Sequence, residues 1–254
     1  MEDFPTQAVI ANVLGTKNMA DMAIKYNAER FVMISTDKAV NPTNVMGASK
    51  RIAEIYVQSL FLKQSKSNPN CTKFITTRFG NVLGSNGSVV PFFKKQIAEG
   101  GPVTVTHPDI IRYFMTIPEA SCLVLEAATL GNGGEIFCFD MGHPVRIADL
   151  AKNMIRLAGY VPGKDIEITY TGLRPGEKLY EELLNQKEIT LPTSNEKILV
   201  AKVREYDFDT VSVSIQALIE DAKQGKVFPV VQKMKDIVPE FKSKNSVYEQ
   251  LDKN

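Results

Sequence analysis

Two short apolar runs constrain this chain more than any other feature: Arg30-Phe31-Val32-Met33-Ile34-Ser35 and Lys73-Phe74-Ile75-Thr76-Thr77-Arg78-Phe79. Both are β-rich and bounded by polar residues, the pattern of strands covered on both faces in a parallel sheet. After a loop with Pro42, the stretch between them reads as a helix from Asn44 to Ser65. Ahead of the first run, Val9, Ile10, Val13, Leu14, Met19, Met22 and Ala23 recur at helical spacing, which predicts a helix from Thr6 to Tyr26. Helix, strand, helix, strand is the signature of an α/β fold, here a partial Rossmann-like doubly wound parallel sheet. Ligands of such sheets gather at the carboxyl ends of the strands, so Ser35 to Lys38 and Arg78 to Ser88 fall where function is expected.

Beyond Gly100 the pattern changes. Short strands are expected at Val103 to Thr106, Glu135 to Asp140 and Ile166 to Thr171, and helices at Pro118 to Leu130, Ile147 to Ala158 and Glu177 to Leu184. A helical stretch from Val89 to Ala98 precedes them, and Asp209 to Gln224 and Val230 to Ile237 are amphipathic. The polar tail from Lys242 to Asn254 reads as frayed. The expected division is residues 1–100, a truncated NAD-binding Rossmann portion with the active-site helix, and residues 101–254, a smaller mixed α/β substrate lobe with the C-terminal helices.

Bulk properties exclude several function classes. With 254 residues and 44% apolar content, the chain can bury a full core. Its 30 basic and 29 acidic residues leave a net charge of +1 with no long single-sign block, so no footprint for nucleic acid or a membrane surface is expected. An anionic ligand must then be met by a local pocket. Cys71, Cys122 and Cys138 stand far apart with no C-x-x-C pair, read as small core hydrophobes, and fit a reducing cytosol. No window approaches the roughly 20 apolar residues of a spanning helix and the start carries no signal peptide, so a cytoplasmic location is expected. His107 and His143 lack a third ligand at metal spacing, and no metal is expected.

Three groupings could carry chemistry. Ser35-Thr36-Asp37-Lys38 and Lys50 bring two ammonium groups and a carboxylate to a strand end and the following helix. They are either a proton-transfer set, whose strengths proximity and burial tune, or a solvated loop with a salt bridge. Gly80 to Ser88 follows a strand and precedes a helix, either an anion-binding loop or a plain turn, since it is not a G-x-G-x-x-G. Arg112 and Arg174 are either diphosphate forks or surface arginines, and Glu177 either binds a ribose hydroxyl or caps a helix starting there.

The segment from Ile34 to Lys50 resembles the active-site stretch of extended short-chain dehydrogenases, in which a Ser/Thr strand end precedes a Y-x-x-x-K helix, with Met46 in place of the tyrosine. Asn12 and Gly15-Thr16 match the family's preceding helix, and Arg78-Phe79-Gly80-Asn81-Val82 its later strand-to-loop motif. Within that superfamily, Thr36-Asp37-Lys38-Ala39, Met46 and Gly172-Leu173-Arg174-Pro175-Gly176-Glu177-Lys178 look like the CapD-type nucleotide-sugar 4,6-dehydratases of polysaccharide biosynthesis. The resemblance implies removal of water from UDP-N-acetylglucosamine with NAD as the returning hydride carrier. It implies Asp37 as general acid toward the C6 hydroxyl, Lys38 as base toward the C5 proton, and Lys50 on the nicotinamide ribose. Asp37, Thr36 or an ordered water would assist oxidation at C4, because the thioether of Met46 cannot relay a proton. It places Asn12, Ser35, Lys50, Phe79, Asn81 and Val82 at the cofactor, and Asn81, Ser88, Arg112, Arg174 and Glu177 at the substrate. A homo-oligomer built through the helices Ala8 to Tyr26 and Asn44 to Ser65 is also implied.

The family's opening strand, Gly-rich phosphate loop and ribose-binding acid are not found in this sequence, so the match is expected to begin midway through the nucleotide-binding sheet. An unpaired sheet edge is the physical consequence expected. Two other functions stay open: an NAD-dependent UDP-sugar 4-epimerase, which would ordinarily retain the tyrosine, and a catalytically silent UDP-sugar-binding chain.

Overall fold

The computed structural model describes residues 1–181 and 189–252. The first helical run comes in three pieces, α1 (Pro5–Ala8), a π-helical stretch Val9–Leu14 and α2 (Gly15–Lys25). The helix expected from Thr6 to Tyr26 is therefore present, with wider i→i+5 turns in its middle. Strand β1 (Arg30–Thr36) follows, then a single 3₁₀ turn at Asp37–Ala39, α3 (Val45–Ser65) and β2 (Lys73–Phe79). Asn44 starts α3 as its N-cap: its side-chain oxygen accepts from the Gly47 N–H at 2.8 Å, satisfying an amide that has no partner inside the helix.

After β2 the chain runs through β3 (Asn81–Val82), α4 (Val89–Ala98), β4 (Val103–Val105), β5 (Ile111–Arg112), β6 (Phe114–Met115) and α5 (Ile117–Leu130). Next come β7 (Ile136–Phe139), β8 (Val145–Arg146), α6 (Ile147–Leu157), β9 (Ile168–Tyr170), β10 (Ile189–Pro192), β11 (Ile198–Lys202), α7 (Phe208–Lys223) and α8 (Val227–Ile237). The main sheet has the order β1-β2-β7-β11-β10; its first three strands are parallel, and β11 and β10 are antiparallel additions. Among the described residues β1 pairs on one side alone, so it forms an edge, and Ile34 there is exposed.

Apolar packing covers both faces of the sheet. On one face, Met33 and Phe74 pack with Val45, Ile52, Ile55 and Leu60 of α3, together with apolar residues of the first helix, α7 and α8. On the other, Ile75, Phe137 and Phe139 meet Leu123 and Ala127 of α5. Helices on both faces of a parallel sheet make the fold doubly wound, with β2 almost fully buried as its unbroken apolar run requires. A third cluster holds the smaller lobe: Phe93 and Ile97 of α4, Val103 and Val105 of β4, and Ile147, Ala151 and Ile155 of α6. The packing crosses residue 100 in both directions, since β7 and β11 complete the main sheet while α4 belongs to the smaller lobe's core.

Several expectations need correction. Glu177–Glu181 is not helical; residues 182–184 lie outside the described residues. The charged side chains of that stretch are drawn into tertiary partners, as where Lys178 donates to the Val40 carbonyl at 2.9 Å, and these contacts override helix propensity. Nor is the tail frayed through Asp252. Ser243 and Tyr248 are buried, Val247–Leu251 forms a 3₁₀ helix with a capping box at Ser246, and the Ser246 hydroxyl donates to Glu2 at 2.9 Å. Of the cysteines read as core residues, Cys138 is buried, Cys71 is half-buried and Cys122 is exposed, because α5 turns Ala120 and Leu123 rather than Cys122 toward the sheet. Strands β10 and β11 were not expected from the sequence at all. No helix among the described residues is long and apolar enough to cross a membrane.

Candidate active site

Parallel register brings the two strand ends together. Ser35 pairs with Arg78 and Thr36 with Phe79, so the two motifs singled out in the sequence emerge side by side at one edge. Beneath them lies a buried ionic cluster. Glu54, fully buried on α3, accepts from the Ser35 hydroxyl at 2.6 Å, from Arg78 Nε at 2.8 Å and Nη2 at 2.6 Å, and from Arg51 Nη1 at 3.1 Å. Burial opposes ionisation of Glu54, but the two guanidinium groups and the serine hydroxyl outweigh it and hold the carboxyl below its ordinary value. The cluster clamps α3 to both strand ends, fixing the platform from which Thr36, Asp37 and Lys38 project.

Above the platform, charges alternate in a chain. Asp37 Oδ1 accepts from the Thr36 hydroxyl at 2.9 Å and from Lys38 Nζ at 2.8 Å. The Lys38 ammonium also donates to Asn81 Oδ1 at 3.3 Å and lies 3.4 Å from Glu181 Oε1. That same carboxylate oxygen is 3.2 Å from Arg112 Nε, while Arg112 Nη2 donates to Glu177 Oε1 at 3.2 Å. Glu177 Oε2 then accepts from the Arg174 backbone N–H at 3.0 Å, which ties the Arg174-Pro175-Gly176 turn to the chain.

A cavity of about 730 Å³ opens over this arrangement. Ser35, Thr36, Lys38, Met46, Phe79, Asn81, Val82, Ser88, Arg112, Arg174 and Glu177 all line it, so eleven of the residues named from the sequence meet at one surface. The smaller lobe supplies the opposite wall through Phe92, Phe93, Thr104 and Ile147. Ser88 is the N-cap of α4, and its hydroxyl is buried with no hydrogen-bond partner among the described residues. A helix N-terminus and an unsatisfied hydroxyl both favour an anion or hydroxyl-bearing ligand.

Three named residues lie outside the lining. Asp37 sits behind Thr36 at 1% exposure, with Oδ2 unpartnered, so it reaches the cavity through the Thr36 hydroxyl and the Lys38 ammonium. Lys50 donates to the Ile34 carbonyl at 3.2 Å beside the sheet edge, and burial holds its ammonium below the ordinary lysine value against the opposing pull of Glu54. Asn12 donates to the Ser49 hydroxyl at 2.9 Å and thereby ties the π-helical stretch to α3.

Residues 1–203 match the family model described as polysaccharide biosynthesis protein. The chain belongs to that family. It is 55% identical over 233 residues to the capsular polysaccharide biosynthesis protein CapD of Staphylococcus aureus, covering 92% of this chain and 38% of that protein. To the UDP-glucose 4-epimerase of Rickettsia canadensis it is 38% identical over 188 residues, 74% of this chain and 53% of the epimerase. Among solved structures, Pen from Bacillus thuringiensis superposes with a TM-score of 0.65 at 36% identity, covering 74% of this chain and 58% of that one. The chain thus spans little more than a third of the staphylococcal relative and about half of the rickettsial one.

Sequence reasoning missed Glu54, Arg51 and Glu181. Glu181 follows the Arg-Pro-Gly-Glu turn so closely that its charge was absorbed into an expected helix, and a search for acids just beyond that turn would have found it. Glu54 carried no signal, since a lone glutamate in an amphipathic helix reads as a solvated face.

Proposed function

We propose that this chain carries the sugar-nucleotide face and acid/base residues of a UDP-N-acetylglucosamine 4,6-dehydratase. The observation that carries the reading is the meeting, in one cavity, of Thr36 and Lys38 with the anion-suited Ser88, Arg112 and Arg174. In this reading Arg112 and Arg174 hold the diphosphate as charge-assisted forks and Ser88 donates to it at the start of α4. Glu177 accepts from a ribose hydroxyl, and Asn81 orients the hexose beside Lys38. Oxidation at C4 releases the proton of its hydroxyl to Asp37, Thr36 or an ordered water; Lys38 removes the C5 proton while Asp37 delivers a proton to the departing C6 hydroxyl, the elements of water leave, and the Lys38 proton returns to C5 as hydride reaches C6. NAD, when bound, supplies the hydride acceptor at C4 and donor at C6. The strand edge fits its nicotinamide end: the half-buried Lys50 ammonium donates to the Ile34 carbonyl at 3.2 Å among the described residues, and Ser35, Phe79 and Val82 line the adjoining wall. A homo-oligomer belongs to the same proposal, and Phe4, Met19, Met22 and Tyr26 expose apolar surface along the first helix for it; the second helix expected there, α3, is instead largely buried within the chain against α7 and α8.

Similarity to a UDP-glucose 4-epimerase favours a second reading on the same scaffold, hydride removal and return at C4 without loss of water. Met46 leaves either reading without a tyrosine relay at the C4 hydroxyl; what favours the dehydratase is the Asp37-Lys38 pair, an acid and a base that loss of water needs and epimerisation does not. Incubating the purified chain with UDP-N-acetylglucosamine and NAD separates the two by mass. The expected product is lighter by one water and falls by about 10²-fold or more in Asp37→Asn. A product of unchanged mass with the C4 configuration inverted would establish the epimerase instead. If neither forms while UDP binds and Arg174→Ala weakens it by about tenfold or more, the chain is a binding module.

A further inference from the structure

The charge chain over the platform contains one group that the proposed chemistry leaves without a task. Glu181 is 8% exposed, and its Oε1 stands between Lys38 Nζ at 3.4 Å and Arg112 Nε at 3.2 Å. Its Oε2 is buried and has no hydrogen-bond partner among the described residues. An unsatisfied buried carboxylate oxygen is costly, and an apolar side chain of similar volume would avoid it. Charge balance sharpens the point. Asp37, Glu177 and Glu181 bring three carboxylates to the two cations Lys38 and Arg112. A cavity meant simply to hold an anion would leave Arg112 less neutralised.

Resting on the dehydratase reading, we propose that Glu181 is a positioning residue that restrains both Lys38 and Arg112 and couples the anion-binding side of the cavity to its acid/base side. With no ligand present, its single oxygen holds the arginine fork and the lysine on one anchor. A diphosphate bridging Arg112 and Arg174 competes with Glu181 for the guanidinium. As Arg112 turns to the ligand, the carboxylate is left with Lys38 as its cation, and the lysine is drawn into register only when the cavity is filled. Glu181 therefore trades affinity for the diphosphate against placement of Lys38. Glu177 does not duplicate it, because Glu177 is 3.2 Å from Arg112 and also caps the Arg174 turn, and no contact between it and Lys38 is present among the described residues.

The opposed signs of the two effects make the test. Glu181→Gln and the apolar Glu181→Met are prepared in the full chain, with folding checked by circular dichroism and thermal melting. Calorimetry with UDP and with inorganic pyrophosphate measures the anion side. Acylation of Lys38 by an amine-reactive ester, followed by mass spectrometry with the exposed Lys94 as reference, measures the lysine side. Loss of one carboxylate beside Arg112 is expected to tighten UDP and pyrophosphate binding by about tenfold and to make Lys38 acylation severalfold faster. Unchanged or weaker binding in both folded variants, or Lys38 labelling no faster than in the parent chain, overturns the coupling. Should the unaltered chain bind no UDP, the substrate reading fails on that result, and Lys38 labelling still decides whether Glu181 restrains the lysine.

Discussion

Glu54 shows at the residue scale how far the site depends on groups that never touch a ligand. Its carboxylate is the counter-ion of Arg78, whose side chain is 1% exposed, and of Arg51. Removing one partner of a buried pair leaves the other charged and unsolvated, so Glu54→Gln should destabilise the fold by about 3–5 kcal/mol in urea denaturation. The same group sets an acid limit. Its folded-state value lies below the ordinary carboxyl value, so its contribution is fully present above about pH 4.3 and is lost as pH falls through the folded value. Melting temperature measured from pH 6 downward should fall most steeply below that point, and the fall should be shallower in Glu54→Gln. At Asp37 the cost should be smaller, because an asparagine oxygen still accepts from Thr36 and the partner Lys38 keeps Asn81, Glu181 and some solvent. Asp37→Asn should therefore lose product with a smaller fall in melting temperature than Glu54→Gln.

At the scale of elements, the start of α3 links the Asp37–Ala39 turn to the Arg174-Pro175-Gly176 turn. Asn44 caps the helix through Gly47, and its amide donates to the Gly176 carbonyl at 3.0 Å, where Thr43 also donates at 2.8 Å. Asn44→Ala should cost about 1–2 kcal/mol by chemical denaturation and weaken UDP binding, because the loop bearing Arg174 loses an anchor. Two glycines make the approach possible. A Cβ on Gly47 would stand 2.1 Å from the Lys38 carbonyl oxygen, and one on Gly176, which also has φ +75°, would stand 2.3 Å from the Asn44 Cβ. Gly47→Ala must therefore push the Asp37–Ala39 turn away from α3. Thermal melts should register the strain and mass spectrometry a loss of product, whereas Gly15→Ala, at φ −58° with the Ile10 carbonyl oxygen 3.8 Å from its Cβ, should leave the melting temperature little changed.

On the scale of the whole molecule, the C-terminal residues close the core rather than trailing from it. The Lys235 ammonium, 6% exposed, is held by Asp252 at 2.5 Å and Ser243 at 2.8 Å and lies over the Phe241 ring. Deleting residues from Ser243 onward strands that charge and removes the buried Tyr248, so the shortened chain should melt well below the parent, an expected loss of about 3–5 kcal/mol. By itself the sequence determined what is periodic or local: β1, β2, α3 and α4 within a residue or two, the parallel character of the first two strands, and the strand ends at which the cavity opens. Those features rest on apolar spacing, capping and turn residues, which act over a few positions. Tertiary structure alone decided which distant charges meet. Glu181 joined Lys38 and Arg112, Glu54 joined Arg78 across 24 positions, and the polar tail found Glu2 at the other end of the chain. A charged residue carries no local signature of burial, because the free energy that removes it from water comes from a partner whose position in the sequence can be anywhere.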